Sequence, residues 1–206
     1  MIESLRSVLA IPAAYQLWWN LVGGPAWARV LVDEYIRPSP GASILEIGCG
    51  PGTIVSYLPQ SDYMGFDLSP QYIALARKRF PQARFECERV SQFSLGGRQD
   101  FDIVLALAIV HHLDDEEAAQ LFHIAHQALK PGGKLVTIDG VFTHGQNSTT
   151  RWLLARDRGQ FVRTAPEYAA IASQAFPDVK ASVRHDLLRI PYTHLILQCF
   201  RSEIVA

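Results

Sequence analysis

The sequence has few cysteines, little net charge and no long apolar run. Its three cysteines in 206 residues form an odd number without metal-ligand spacing, as is typical of proteins in a reducing compartment. A net charge of −1 provides no overall basic field for nucleic acid. The longest apolar run, 103–110, is too short to span a bilayer, and the first residues lack the pattern of a signal peptide. We therefore expect a cytoplasmic protein without a nucleic-acid or membrane partner.

The segment 44–53 (Ile-Leu-Glu-Ile-Gly-Cys-Gly-Pro-Gly-Thr) is the most informative stretch of the chain. An apolar run passes through Glu46 into a glycine-rich turn. Glycine lacks a Cβ and tolerates positive φ, so a ligand can lie directly against this backbone. Fifteen residues after Gly52, a second apolar run ends in Asp67. Glycines at one strand end and a carboxylate at the next predict a site for an adenosine, with the carboxylate on the ribose hydroxyls.

The middle of the chain alternates between short apolar runs and helical patterns. The runs predict strands over residues 43–47, 63–67, 84–87, 101–107 and 134–139. The helical patterns cover residues 53–58, 70–79 and 115–129. Ser69 and Asp114 are the expected N-caps of the last two helices, and the turn 130–133 (Lys-Pro-Gly-Gly) is expected to end the third.

The end of the chain has a different pattern. Two late apolar segments, 179–188 and 193–200, predict a hairpin, which places an antiparallel strand in the sheet. The whole pattern predicts an α/β fold with a doubly wound, mostly parallel seven-stranded sheet and an antiparallel C-terminal hairpin strand. With 49% hydrophobic and 19% charged residues, the chain has the composition of one globular domain over 1–206.

Four features together resemble the class I S-adenosylmethionine-dependent methyltransferases. They are Glu46 two residues before the first glycine, the Gly-x-Gly-x-Gly spacing, the 130–133 turn before the fifth strand, and the terminal hairpin. The chain is most similar to the small-molecule branch that resembles quinone-pathway methylases. The resemblance has specific motifs over residues 40–139 and is architectural at both ends. It implies a Rossmann-like fold and methyl transfer from S-adenosylmethionine to an oxygen, nitrogen or carbon atom of a small-molecule acceptor.

The resemblance also implies a division of the domain. Residues 1–38 would form an N-terminal helical lid, 39–139 the cofactor-binding core, 140–178 a helical insertion on the acceptor side, and 179–206 the hairpin. Two other functions stay open. One is a non-catalytic scaffold or sensor that binds S-adenosylmethionine. The other is a nicotinamide-dependent oxidoreductase, against which the glycine spacing and the hairpin argue.

Carried over position by position, the resemblance implies a cofactor site. Gly48, Cys49 and Gly50 would pass their backbone beneath the methionine portion, and Glu46 would reach its ammonium group, directly or through water. Asp67 would accept both ribose hydroxyls. For Glu46 the alternative is a partner to a loop N–H or an arginine. For Asp67 it is an N-cap, although Ser69 already fills that position.

The resemblance extends to the adenine and the sulfonium. Leu68 would pack against the adenine. The family often has an aspartate after the third strand, but here the stretch has Arg89, so the backbone N–H of Val90 is the expected substitute. Ala106 and Leu107 at the end of the fourth strand would lie beside the sulfonium.

His111 is the expected catalytic residue. Imidazole titrates near neutral pH and can remove a proton from an attacking hydroxyl or amine. The alternative is a histidine that fixes the turn after the fourth strand. No set of carboxylates and histidines has metal-ligand spacing, so we expect no metal.

The flanking segments add two open questions. Arginines concentrate over residues 151–163, where they favour an anionic acceptor or form ion pairs on a solvated helix face. Tyr15, Trp18 and Trp19 would close over the cofactor as a lid or pack as a covering helix. The sequence does not predict an oligomeric state.

Overall fold

A computed structural model describes residues 21–58, 60–90, 93, 95–96, 100–156 and 159–203. Its strands are β1 Ser43–Ile47, β2 Asp62–Asp67, β3 Arg84–Cys87, β4 Phe101–Leu107, β5 Leu129–Phe142, β6 Arg163–Thr164, β7 Asp178–Arg184 and β8 His194–Phe200. Its α-helices are α1 Gly24–Val30, α2 Pro70–Arg79, α3 Asp115–Ala128, α4 Ser148–Leu154 and α5 Ala165–Ala172. A π-helical segment, Leu31–Ile36, continues α1, and 3₁₀ turns cover Thr53–Tyr57 and Val110–His112.

The strands form one sheet in the order β3-β2-β1-β4-β5-β8-β7, and the short β6 pairs with the end of β5. Strands β1 to β5 are parallel. Strand β8 is antiparallel to both β5 and β7, so the predicted hairpin and the mostly parallel seven-stranded sheet are confirmed. In this topology the carboxyl ends of β1, β2, β4 and β5 meet along one edge, where open α/β sheets bind ligands.

Apolar cores cover both faces of the sheet. Leu45 and Ile47 of β1 face the core that contains α3 and α5, whereas Ile44 faces the core that contains α1. Burial on both faces explains why these strands are continuous apolar runs in the sequence. Each fully buried large side chain, such as Phe122 on α3, contributes about 1.5–3 kcal/mol from burial.

Both expected N-caps are confirmed. The Ser69 hydroxyl accepts from the Tyr72 amide at 3.3 Å, and the Asp114 carboxylate accepts from the Glu117 amide at 2.9 Å. Each cap satisfies an amide that the first helical turn leaves without a partner and contributes about 1 kcal/mol. The helix expected over 53–58 is instead a 3₁₀ turn, because five residues after the left-handed Gly52 are too few for regular α-helical bonding.

The fifth strand is longer than the sequence predicts, beginning at Leu129 and ending at Phe142. The expected 130–133 turn lies inside it as an irregularity with Gly132 at φ 76°. The Gly132 amide donates to the Arg201 carbonyl at 3.0 Å, and the Arg201 amide donates to Gly133 at 2.9 Å. The turn is therefore hydrogen-bonded to the chain after β8, which continues the strand where the sequence predicts a break.

The described part of the N-terminal segment packs as a covering helix. Trp27, Leu31 and Ile36 are buried against the sheet. Tyr15, Trp18 and Trp19 lie outside the described residues, so the lid remains a prediction. Within the described ranges, no helix has the length and apolar character needed to cross a bilayer.

Candidate functional site

The glycine turn after β1 has the backbone conformation that its sequence requires. Gly48, Gly50 and Gly52 all have positive φ, at 71°, 52° and 72°. The amides of Gly48 and Cys49 donate to the Phe66 carbonyl at 2.8 and 3.0 Å, which fixes the turn to the end of β2. A Cβ on Gly48 would collide with the side chain of Ile109, whereas a Cβ on Gly50 would meet no atom of the described residues within 4 Å. The turn is thus held from one side and open at Gly50.

Asp67 joins the two strand ends that the sequence places together. One carboxylate oxygen accepts from the Gly50 amide at 2.9 Å, and the other accepts from the Ser69 amide at 2.8 Å. The bond to the Ser69 amide is a capping type of contact, the alternative given for Asp67 in the sequence analysis. The bond to the Gly50 amide is a structural role that the sequence did not reveal. A carboxylate has about four acceptor positions, so two bonds to amides leave capacity for hydroxyl donors.

The residues expected around the adenine follow β2 and β3, whose last residues, Asp67 and Cys87, pair in the sheet. Leu68 is 66% exposed. Val90 is half-buried and packs against the core, while Arg89 is exposed. The open side of Gly50, the Asp67 acceptor and the bare Leu68 side chain together fit an adenosine ligand with its ribose on the carboxylate.

Glu46 is buried beneath the glycine turn and is only 4% exposed. Its carboxyl group accepts a hydrogen bond from the Tyr63 hydroxyl on β2. The pKa of Glu46 is raised to about 8: burial raises it most, the Tyr63 bond lowers it and the negative charge of Asp67 raises it. The carboxyl is therefore mostly protonated at neutral pH. Tyr63 was missed as a site residue, since cross-strand contacts depend on a register that the sequence does not give.

The end of β4 presents backbone to the same edge. Ala106 is fully buried, so its side chain lies in the core. Leu107 is half-buried and Ala108 is exposed. Ala108 has φ 56°, a left-handed conformation that costs a non-glycine residue roughly 1–2 kcal/mol, and its amide donates to the Ile138 carbonyl at 2.8 Å. Leu107 at the end of β4 and Ala108 directly after it therefore border the edge.

His111 lies in the 3₁₀ turn after β4 and is 4% exposed. Its Nδ1 lies 2.7 Å from Oδ1 of Asp139 on β5, and its backbone amide donates to the same oxygen at 3.1 Å. A Cβ at Gly159 would collide with the imidazole, so the chain at that point lies directly over His111. Asp139 was missed as a partner, although an acidic residue near the carboxyl end of the adjacent strand was a usable signal.

Arg163, one of the arginines of the segment 151–163, has a structural role. Its guanidinium donates to Asp115 at 2.7 and 3.0 Å and to the carbonyls of Leu113, Phe161 and Val110 at 2.8, 3.0 and 3.3 Å. These bonds hold the turn that carries His111. The Arg151 and Arg156 guanidinium groups lie over the rings of Phe142 and Trp152. Residues 157 and 158 lie outside the described ranges.

A polar cavity of about 520 Å³ lies at the same edge, past the end of β5. It is lined by Thr143, His144, Gln146, Asn147 and the turn between β7 and β8. Gln146 donates to Thr193 at 2.9 Å, and its buried Oε1 has no hydrogen-bond partner among the residues that the structure describes. The cavity is within the usual size range of small-molecule pockets, about 300–1,000 Å³. In the part of the chain that the structure describes, no group of three or more His, Cys, Asp or Glu side chains could hold a metal ion.

Comparisons with known proteins identify methyltransferases as similar proteins. A family model described as a methyltransferase domain matches residues 44–133. The chain is 33% identical over 131 residues to trans-aconitate 2-methyltransferase of Variovorax paradoxus, covering 57% of this chain and 48% of that protein. It is 28% identical over 175 residues to demethylmenaquinone methyltransferase of Chlorobaculum parvum, covering 80% and 69%. The chain spans about half the length of the first curated relatives that it matches.

A solved structure shows the same fold. A TehB-like S-adenosylmethionine-dependent methyltransferase from Corynebacterium glutamicum matches with a TM-score of 0.67 at 21% identity, covering 93% of this chain and 97% of that one. The Rossmann-like arrangement implied by the sequence is thereby confirmed, and a quinone-pathway methylase is among the relatives. Over residues 44–133 the chain is similar to methyltransferase domains, and its fold is that of an S-adenosylmethionine-dependent methyltransferase.

Proposed function

We propose that the protein transfers the methyl group of S-adenosylmethionine to a small-molecule acceptor. The observation that carries this proposal is the bond between Asp67 and the Gly50 amide. It brings the glycine turn and the carboxylate that we assign to the ribose to one point on the carboxyl edge of the sheet. In this proposal Gly48, Cys49 and Gly50 pass beneath the methionine portion, and Leu68 packs on the adenine.

When bound, S-adenosylmethionine supplies a methyl group already activated by the positive sulfonium. The protein then needs mainly to align the acceptor and exclude water, and good alignment can lower the barrier by roughly 7–11 kcal/mol. Leu107 and Ala108 border the edge where we place the sulfonium. Ala108 holds its strained φ of 56° there, a feature that clusters at functional sites.

We propose that His111 accepts the proton of the attacking hydroxyl or amine. The Asp139 carboxylate 2.7 Å from Nδ1 favours the tautomer with the proton on Nδ1, which leaves Nε2 as the basic nitrogen. The carboxylate also stabilises the imidazolium that forms when the proton is accepted. Because His111 is only 4% exposed, bulk water has little access to the imidazole.

We place the acceptor on the side of residues 140–178, whose loop 143–147 lines the polar cavity. The cavity carries amide, hydroxyl and imidazole groups that can bind a polar acceptor. The Variovorax relative acts on trans-aconitate, which favours an anionic acceptor here. Arg163 does not support that choice, because its donors already bind protein oxygens.

Thermal unfolding by differential scanning calorimetry, with S-adenosylhomocysteine or with NAD, tests which cofactor binds. Product formation tests the activity. We expect S-adenosylhomocysteine at 100 times its Kd to stabilise the protein by about 2.7 kcal/mol, and NAD to have no effect. Conversion of S-adenosylmethionine should then be assayed with carboxylate and quinol acceptors. Binding of NAD alone would support an oxidoreductase. Tight binding without turnover on any metabolite fraction would support a non-catalytic scaffold or sensor.

A further inference from the structure

A buried acid and a buried phenol lie together beneath the glycine turn. Glu46 and Tyr63 are 4% and 3% exposed, and the Tyr63 hydroxyl donates to the Glu46 carboxyl group. Gly65 makes room for this pair. A Cβ at Gly65 would lie 2.9 Å from the Tyr63 hydroxyl oxygen and 2.7 Å from the Cys49 Cβ. The packing therefore holds the two side chains in one arrangement directly behind Cys49.

The surroundings of Glu46 contain neutral and acidic groups. The titratable groups that act on it from the described residues are Tyr63 and Asp67 on β2 and Cys49 in the turn. On the other side, β4 pairs with Glu46 through the apolar Leu105. Burial raises the pKa of the Tyr63 hydroxyl and of the Cys49 thiol, so both stay neutral at pH 7. A carboxyl group in such surroundings is more stable with its proton than without it.

An arriving cation reverses this preference. An opposite charge within about 4–6 Å favours the ionised form of a carboxyl group. The methionine portion of the ligand carries an ammonium group, and the proposed site runs this portion along Gly48 and Cys49, next to Glu46. The Tyr63 hydroxyl remains a donor to one oxygen of the carboxylate, which leaves the other oxygen as an acceptor for the ligand ammonium.

We propose that Tyr63 is a positioning residue of the cofactor site, which holds the Glu46 carboxyl for the ligand ammonium, and that Glu46 releases one proton to the solvent when the ligand binds. This inference rests on the proposed function. It predicts that recognition of the amino-acid end of the ligand is separable from recognition of its nucleoside end. It also predicts that affinity for the whole ligand rises with pH, because binding releases a proton.

Isothermal titration calorimetry with two ligands tests the inference. S-adenosylhomocysteine carries the ammonium group, and 5′-methylthioadenosine has the same nucleoside thioether without it. Titrations at pH 7 in phosphate and in Tris, whose ionisation enthalpies differ strongly, give the number of protons released. We expect the wild-type protein to release close to one proton with S-adenosylhomocysteine and none with 5′-methylthioadenosine.

The Tyr63→Phe variant should lose affinity for one ligand only. We expect about a tenfold weaker Kd for S-adenosylhomocysteine and an unchanged Kd for 5′-methylthioadenosine. Tyr35→Phe is the matched control, since it also removes a hydrogen-bonded hydroxyl from a buried tyrosine. Tyr35 lies beside Lys134 of β5, which donates to its carbonyl at 2.8 Å and pairs with Ile103 near the amino end of β4. It should leave both affinities and the proton release unchanged.

The possible failures are distinguishable. S-adenosylhomocysteine binding without proton release by the wild-type protein would overturn the inference and leave the proposed function intact. The inference would also be overturned, and the proposed function left intact, if Tyr63→Phe lowered the affinity for both ligands equally. If the wild-type protein binds neither ligand, the proposed function fails and the inference fails with it. Because proton release is measured on the wild-type protein, the test does not depend on the folding of the variant.

Discussion

The Asp139 carboxylate holds His111 at two points, through Nδ1 at 2.7 Å and through the backbone amide at 3.1 Å. One oxygen of a β5 residue thus fixes both the ring and the main chain of the residue that follows β4. Such a double contact orients an imidazole, and a carboxylate beside Nδ1 is the arrangement that prepares a histidine to accept a proton at Nε2.

His111→Ala should lower kcat by roughly 10²–10⁴ with an acceptor that must lose a proton, because general-base catalysis contributes about that much. The Kd for S-adenosylhomocysteine should stay the same, since we place His111 on the acceptor side. Steady-state kinetics and calorimetry measure the two quantities. His123→Ala, an exposed histidine on α3, is the control. An unchanged kcat in His111→Ala would leave His111 only its role in the turn.

Asp67→Asn should weaken S-adenosylhomocysteine binding by roughly one to two orders of magnitude. The amide keeps one acceptor oxygen but places an NH₂ group against the amide of Gly50 or Ser69, where the carboxylate accepts at 2.9 and 2.8 Å. Each bond to a charged acceptor contributes about 1.5–3 kcal/mol net. Asp62→Asn, at the exposed start of the same strand, should bind normally in the same titration. Equal affinities of the two variants would contradict ribose binding by Asp67.

Arg163→Met should destabilise the protein by about 3 kcal/mol. Methionine fills much of the volume but leaves the carbonyls of Leu113 and Phe161 without the donor that they now have at 2.8 and 3.0 Å. Urea unfolding measures the loss, which corresponds to roughly 6–12 °C in Tm for a chain of this length. Arg151→Met on the exposed face of α4 should change stability by less than about 0.5 kcal/mol. Equal stabilities of Arg163→Met and the wild-type protein would mean that water replaces the guanidinium as donor to these carbonyls.

The sequence predicts the sheet well and the site contacts only in part. The bounds of β1, β3 and β4 match the expected strands, because their apolar runs are bordered by polar or glycine residues and strands buried on both faces show little alternation. The caps at Ser69 and Asp114 were predictable because an N-cap bonds to an amide three residues later.

Contacts between distant parts of the chain could not be predicted in this way. The Tyr63 hydroxyl donates to Glu46 on the neighbouring strand, 17 residues earlier in the sequence. Asp139 and His111 are 28 residues apart, and Arg163 and Leu113 are 50 residues apart. Such contacts depend on strand register and on how loops cross the sheet edge. Single-sequence patterns report local periodicity and turn chemistry, and these do not fix register.

Glu46→Gln should flatten the pH dependence of stability between about pH 5 and pH 8. The pKa of Glu46 is raised from 4.5 to about 8 in the folded protein, chiefly by burial. Over this interval the folded state keeps a proton that the unfolded state releases, so the free energy of unfolding of the wild-type protein falls as the pH rises. The contribution is fully present below the unfolded pKa and is lost as the pH passes the folded value.

Glutamine resembles the protonated carboxyl, and its amide oxygen can still accept from the Tyr63 hydroxyl. Because it does not titrate, Glu46→Gln should become more stable than the wild-type protein towards pH 8. Urea unfolding of the ligand-free protein at pH 5, 6, 7 and 8 measures the slope. Glu116→Gln, an exposed residue in the first turn of α3, should keep the wild-type slope. Parallel curves for all three proteins would show that Glu46 does not hold its proton in the folded state.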